Sequence, residues 1–479
     1  MNDTSPCVGR VSPTGVTRQF VAAGADRGVG LRCANPTYTA ETIWQKLSLK
    51  EAGVTLIDCD HRTPPAADTG YPYIAIPQIK NGHIQLDGVR RISPEDFADW
   101  TRKLKPQEND VIVVRRCSSG DSAVVPRALE CAIGQNLVVL RSDGKRVLPE
   151  FLRWLVSGPD WWEQVGKFIN VGAVFDSLKC REIPHFELTI PPIEAQHEIA
   201  ALLGALDDRI TLLRETNATL EAIAQALFKS WFVDFDPVHA KQQGIAPEGM
   251  DDATAALFPD SFEESELGLV PRGWRVSRLA DEVERITKGT TPTTIKRPFV
   301  ACGINFVKAE SMTDDGQFIP EKFAYIDDET HELLKRSQLK AGDVLISIAG
   351  TIGRLAVMTE EFLPANTNQA VALIRPFQDR FPSGLISRFL QRTESQQLMG
   401  ERVVQAVQAN LSLGSLSDMK VVVAPAEVIN KLYSAGLAQI DASKVMNASR
   451  IRTLATLRDT LLPRLITGKL RLPEVAAQL

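Results

Sequence analysis

No run of 18 apolar residues occurs in this 479-residue chain, so no membrane-spanning helix is expected. The first residues, MNDTSPCVGRVSPTG, lack the basic start and apolar core of a secretory leader. The 7 cysteines are odd in number and none forms a Cys-x-x-Cys, and the 6 histidines are equally dispersed. This usage excludes a disulfide framework and argues against a metal site; reduced thiols in a cytoplasmic protein are the expectation. Catalytic signatures are missing too. There is no Gly-x-x-x-x-Gly-Lys-Ser/Thr phosphate loop and no Gly-x-Ser-x-Gly elbow. Gly28-Val-Gly30 lacks the third glycine and the preceding strand of a dinucleotide site. No catalytic residue, metal ligand or cofactor of its own is expected in this chain. Net charge is −5, which in bulk points away from nucleic acid, although a local basic face can coexist with an acidic remainder.

What is present is organised around Pro191–Phe235. Two apolar series spaced by seven run through it. One is Leu206, Leu213, Leu220, Leu227; the other is Leu203, Ile210, Asn217, Ala224, Trp231. A two-position heptad seam of this length predicts a coiled-coil helix rather than an ordinary amphipathic one. Asn217 sits in the seam, where one polar group specifies register at a cost in stability. Pro192 suits the first helical turn, and Asp236-Pro237 is expected to stop the helix. Its Asp and Glu residues read as a solvated face.

The second organising feature is an internal repeat. Val421–Leu470 echoes the central stretch, with Leu220, Leu227, Phe228 and Trp231 falling on Leu454, Leu461, Leu462 and Leu465, 234 residues on. The second seam is leakier, and Pro463 is expected to end or kink that helix. Upstream, Leu104–Pro126 parallels Leu339–Thr359, with Asp110 on Asp343 and Gly120 on Gly353. Gln135 falls on Gln369, and Trp44 opens one half as Trp274 opens the other. A repeat of this period is a duplicated domain pair, not a solenoid. The β-branched runs Val111–Val114, Leu137–Leu140, Val344–Ile348 and Val371–Ile374 predict strands; Phe151–Val156 and Leu385–Gln391 predict short helices. The fold class expected is α+β: two strand-rich domains and two long helices in a twofold internal repeat. Its parts are an extension (1–40), a first domain (41–190), a central helix (191–236), an acidic linker (237–270), a second domain (271–424) and a distal helix (425–472).

Two sets of loop residues stand beside glycines: Arg115, Arg116, Ser118 and Ser119, then Thr351 and Arg354, preceded by Lys288, Thr290, Thr291, Thr294 and Lys296. Guanidinium and hydroxyl groups on such turns suit phosphate and base-edge contacts. Plain solvated turns are the competing reading, and composition does not choose between them.

The segments PPIEAQHEIAALLGALDDRI, LFKSWFVDF and LRDTLLPRLITGKL resemble the two helical regions of specificity (S) subunits of type I restriction–modification enzymes. GLVPRGWRVSRL, LKAGDVLISIAGTIG and NTNQAVALIRP resemble their target recognition domains. The likeness spans roughly residues 41–472. Ile43-Trp44 stands where the second half has Gly273-Trp274, and residues 1–40 have no family role. Asn35-Pro36-Thr37-Tyr38 resembles the Asn-Pro-Pro-Tyr motif of adenine methyltransferases but departs at its third residue.

The resemblance implies a non-catalytic, cytoplasmic subunit. Each recognition domain reads one half of a split, asymmetric double-stranded DNA target. The long helices pack antiparallel, set the gap between half-sites and dock two methyltransferase (M) subunits, which bring S-adenosylmethionine. Two motor-nuclease (R) subunits can join, using ATP and magnesium. In that frame Leu203, Leu206, Ile210, Leu213, Asn217, Leu220 and Leu227 join Leu454 and Leu461 in the helix seam. Phe228, Trp231 and Phe232 are candidates for the M-subunit contact, or else for core packing against the first recognition domain. A coiled-coil scaffold without DNA contact, and an enzyme fused to S-like halves, are the rival classes. The latter lacks room, because the recognition domains and helices take nearly everything past residue 40.

Overall fold

The computed structural model describes residues 44–60, 62–170, 176–402, 404–405 and 409–471. The N-terminal extension, with its Gly28-Val-Gly30 and Asn35–Tyr38 motifs, lies outside them, as does residue 472. The described chain divides into two compact units. One comprises residues 44–212 with 451–471, the other residues 213–450.

The first unit contains β1 (Gln45–Ser48), β2 (Val54–Asp58), β3 (Tyr71–Ile74), β4 (Ile79–Lys80), β5 (His83–Ile84), β6 (Arg91–Ile92) and α1 (Pro94–Trp100). Then come β7 (Val111–Val114), β8 (Ser122–Val124), β9 (Ala132–Ile133), β10 (Leu137–Ser142), α2 (Pro149–Leu155), α3 (Pro159–Phe168), β11 (Glu187–Ile190) and the long helix α4 (Ile193–Phe232), of which residues up to 212 belong to this unit. A four-stranded antiparallel sheet has the order β2-β10-β7-β8. Beside it are a β6-β3-β9 sheet, in which β3 and β9 run parallel, and a β1-β11 pair. All four residues of β7 are fully buried, as a continuous β-branched run requires when both faces of a sheet are covered. Val111 and Val113 face a core shared with α2, α3 and the helix ends. Ile112 and Val114 face a second core with Ile74, Ile133 and Val139. Pro149 and Pro159 open α2 and α3, where a missing N–H leaves no bond unmade.

The second unit repeats this plan. It holds α5 (Asp236–Gln242), α6 (Asp252–Ala255) and a hairpin of β12 (Phe262–Ser265) and β13 (Gly268–Pro271). These are followed by β14 (Arg275–Arg278), β15 (Val283–Lys288), β16 (Ile304–Val307), β17 (Ala324–Ile326), α7 (Asp328–Leu333), β18 (Val344–Ser347), β19 (Leu355–Val357), β20 (Ala365–Thr367) and β21 (Val371–Pro376). The unit continues with α8 (Ser383–Gln391), α9 (Thr393–Glu401), β22 (Val404–Gln405), β23 (Ala409–Asn410), α10 (Leu413–Ser417), β24 (Lys420–Val423) and α11 (Ala426–Leu432). A π-helical turn at Tyr433–Leu437 leads into α12 (Ala438–Ile466), of which residues up to 450 belong to this unit. The sheet β15-β21-β18-β19 matches β2-β10-β7-β8, and β17-β16-β20 matches β6-β3-β9, down to its one parallel pair. The β14-β24 pair matches β1-β11. Even the buried charges recur. Arg141 embraces Asp110 at 2.8 and 2.6 Å, and Arg375 embraces Asp343 at the same two distances. Each carboxylate also accepts a backbone N–H three residues upstream. The strands and short helices expected from the sequence all occur.

In the second unit, the later part of α4 lies against the segment from Gly436 to Asn447. Asn447 Nδ2 donates to Asn217 Oδ1 at 2.9 Å, Asn217 Nδ2 donates to the Lys444 backbone carbonyl at 3.2 Å, and Lys444 pairs with Glu221. Closer to the helix end, Gly436 abuts Trp231 and Leu227. Partner numbers fall on one helix as they rise on the other, so the two run antiparallel there. Leu203, Ile210, Leu213 and Leu461 are buried, whereas Leu206, Leu220, Leu227 and Leu454 are half-buried.

Three expectations are corrected. Asp236-Pro237 does not simply stop the central helix: α4 ends at Phe232, Phe235 turns left-handed (φ 56°), and Asp236 and Pro237 open α5. Pro463 does not end the distal helix, which continues to Ile466. The stop is Gly468 (φ 70°), where Leu470 N–H bonds back to the Arg464 carbonyl and Trp44 Nε1 caps the Ile466 carbonyl at 2.7 Å. Segment 237–270 is no bare linker, because Val238 and Phe258 are buried in the core of the second unit.

Candidate nucleic-acid interface

The turn between β7 and β8 is built by backbone demands. Cys117 (φ 70°) and Gly120 (φ 100°) take left-handed conformations, and Gly120 packs against Trp162 and Val165 of α3. Ser119, expected among the DNA contacts, is buried. Its hydroxyl donates to the Arg115 carbonyl at 2.9 Å and the Asp176 carbonyl at 3.2 Å, so it shapes the turn instead of reaching outward. Arg115 is half-buried, with its Nε lacking a partner among the described residues. Arg116 and Ser118 are exposed.

The corresponding β18–β19 turn has Gly350 (φ 75°) and Gly353 (φ 92°), the latter against Gln396 of α9. Ser347 accepts from Arg354 N at 2.9 Å and donates to the Thr351 carbonyl at 2.5 Å. Thr351 is exposed, and Arg354 is tied to Asp314 at 2.5 Å. Nearby, Gly289 sits so tightly that a Cβ would lie 1.9 Å from the Thr367 carbonyl oxygen. It holds the loop bearing Lys288, Thr290 and Thr291 against the end of β20. Lys288, Ile348, Ala349, Gln369, Asn410 and Ser412 line a half-open cleft of 520 Å³. The structure thus brings Lys288 and the 348–351 turn to one edge of the second unit. Thr294 and Lys296 are exposed on the next turn, outside the cleft lining, with Lys296 left-handed at φ 59°.

Sequence reasoning did not single out Gln135 and Gln369 as functional. Gln135 Nε2 donates to Thr63 Oγ1 at 3.1 Å, and Gln369 Oε1 accepts from Thr291 Oγ1. Their alignment across the repeat was the available signal.

Phe228, Trp231 and Phe232 are not an exposed patch. They are buried with Phe235, Phe258 and Trp274 in the core of the second unit and not against the first recognition domain as expected, because this end of α4 supplies one wall of that core. Nor are the helix carboxylates all solvated. Asp207 is 1% exposed and meets Arg153 (2.5 Å), Arg458 (2.6 Å) and His83 (3.0 Å). Burial resists its ionisation, yet the neighbouring His83 imidazole and the arginine charges hold its carboxyl well below the usual range. In the second unit Asp441 takes a matching role, binding Arg388 at 2.5 and 3.0 Å and accepting from Tyr433 at 2.7 Å. Burial pushes the Cys59 thiol up to about 11 and Cys131 up to about 12, which keeps both protonated and unreactive. Among the described residues no group of three or more His, Cys, Asp or Glu could hold a metal ion, and no helix is long and apolar enough to cross a membrane.

Comparison with known proteins gives a consistent pattern. Residues 59–222 match the type I restriction modification DNA specificity domain family. The chain is 27% identical over 377 residues to the type I restriction enzyme HindI specificity subunit of Haemophilus influenzae, covering 71% of this chain and 81% of that one. It is 23% identical over 397 residues to the MjaIX specificity subunit of Methanocaldococcus jannaschii, covering 81% and 83%. The crystal structure of a type I restriction–modification S subunit from M. genitalium superposes with a TM-score of 0.51 at 14% identity, covering 89% of this chain and 97% of that one, a likeness of fold.

Proposed function

We infer that this chain is the DNA-specificity subunit of a type I restriction–modification enzyme. It reads a DNA sequence and performs no chemistry itself. The observation that carries this reading is the duplication: one strand-rich body, with one sheet plan and one buried Asp–Arg pair, occurs twice in a single polypeptide. A tandem repeat lets one chain imitate a dimer facing two half-sites, and differences between the halves make the target asymmetric.

Each recognition domain reads one half of a split double-stranded target, through the turns carrying Arg115, Arg116 and Ser118 in the first and Lys288, Thr290, Thr291 and Thr351 in the second. The central and distal helices pack as an antiparallel coiled coil and set the spacer between half-sites. Two M subunits dock on this chain and supply S-adenosylmethionine; two R subunits complete the restricting assembly with ATP and magnesium. The complex works in the cytoplasm. The buried position of Phe228, Trp231 and Phe232 moves the M contact elsewhere. A scaffold without DNA contact would have no use for two glycine-built turns with exposed polar groups at matching places.

The test is a methylome. The chain is expressed with its neighbouring M subunit in a methylation-free host, and modified adenines are mapped. A new split motif with a constant gap is expected. A soluble S–M complex that writes no motif would overturn the reading.

A further inference from the structure

The glutamine pair offers an inference that rests on the DNA-reading role above and deepens it. Gln135 and Gln369 lie 234 residues apart, each exposed on the turn entering the central strand of its sheet, β10 or β21. Each is hydrogen-bonded to a threonine hydroxyl from the loop that follows the neighbouring strand, β2 or β15. Thr63 and Thr291 are 228 residues apart, so the two loops differ in length, yet they deliver the same side chain to the same glutamine. The adjacent turn behaves in the opposite way. Arg115-Arg116-Cys117 stands in the first unit where Ile348-Ala349-Gly350 stands in the second.

Two domains that read different half-sites must differ where they touch base edges. A device kept in both faces something common to both half-sites, and the common feature of duplex DNA is its phosphodiester backbone. We propose that Gln135 and Gln369, each set by its threonine, grip a backbone phosphate at the equivalent place in each half-site and carry no base preference. Thr63 and Thr291 are positioning residues. Gln135 Nε2 keeps one hydrogen beyond that given to Thr63, and Gln369 bonds Thr291 through its carbonyl and keeps both. Anchoring the amide removes rotamer freedom that binding would otherwise have to remove. Lys288, lining the same cleft as Gln369, supplies the charge that a neutral amide lacks.

The S–M complex is tested on fluorescent duplexes carrying either its mapped motif or a scrambled sequence, over a range of salt. The double variant Gln135→Ala/Gln369→Ala should bind both duplexes about tenfold more weakly, each lost hydrogen bond contributing a fewfold factor. The dependence on salt should stay unchanged, because an amide releases no counterion, whereas Lys288→Ala should lower the slope by about one. The methylome motif should be unaltered. Thr63→Ser/Thr291→Ser should retain affinity and Thr63→Val/Thr291→Val should lose it, with urea midpoints unchanged, since Thr63 is exposed and Thr291 only half-buried. Relaxation of a base at one position of the motif would make the glutamines base readers and overturn the proposal. Unchanged affinity would overturn it as well. A wild-type complex that writes no motif would remove the reading on which it stands.

Discussion

At the scale of single residues, the chain is held by charges placed where water is scarce. Asp207 binds Arg153, Arg458 and His83 from separate elements, and removing one member of such a set strands the others. Asp207→Asn should cost about 3–5 kcal/mol, measured by urea unfolding at pH 7. The sign of its pH dependence follows from its lowered folded-state pKa. The stabilisation is full above the unfolded-state value near ~4 and fades as pH falls towards the folded-state value. The difference between the two proteins should therefore shrink below about pH 4. Gly289 tests backbone packing instead. An alanine there would drive its Cβ into the Thr367 carbonyl, and backbone cannot step aside as a flexible side chain can. Gly289→Ala should destabilise by about 1–3 kcal/mol. It should also displace Thr291, which lowers DNA affinity in the same binding assay.

At the scale of elements, the helix pair shows how one polar position is used. Asn217 and Asn447 bond to one another across the seam. Asn217→Leu leaves the buried Asn447 amide with a lost partner, and should cost about 1–3 kcal/mol. The double variant Asn217→Leu/Asn447→Leu should recover most of that loss, since an apolar pair needs no partner, while weakening the preference for one register. Urea midpoints of the single and double variants decide this: a double variant no more stable than the single one would show that the asparagines do not act as a pair. The heptad series around Asn217 was legible because it is local, a spacing of seven along one helix. The fate of Pro463 was not. A proline removes one N–H wherever it stands, but whether the helix survives depends on what closes it, and here closure waits for Gly468 and the indole of Trp44.

For the whole molecule, net charge and function pull in opposite directions. A chain of net charge −5 that reads DNA needs most of its cations from elsewhere, and the proposed M subunits would be their source. The S–M complex should bind its target duplex at least about a hundredfold more tightly than this chain alone at moderate salt. Similar affinities, measured by fluorescence anisotropy, would show that this chain's own contacts carry the binding without the M subunits. Exchanging residues 271–424 for the second recognition domain of another specificity subunit should change one side of the methylated motif and leave the other intact.

The sequence by itself determined the duplication, the buried strands and the long helices. Each is a periodic property of neighbouring residues: alternation in strands, sevenfold spacing in the seam, an offset of about 234 between halves. Only the tertiary structure decided what depends on distant partners. Ser119 turns inward because two carbonyls await its hydroxyl. Phe228, Trp231 and Phe232 become core because Phe258 and Trp274 close over them. Asp207 leaves the solvated face because arginines 54 residues before it and 251 residues after it arrive beside it, an encounter that no local pattern encodes.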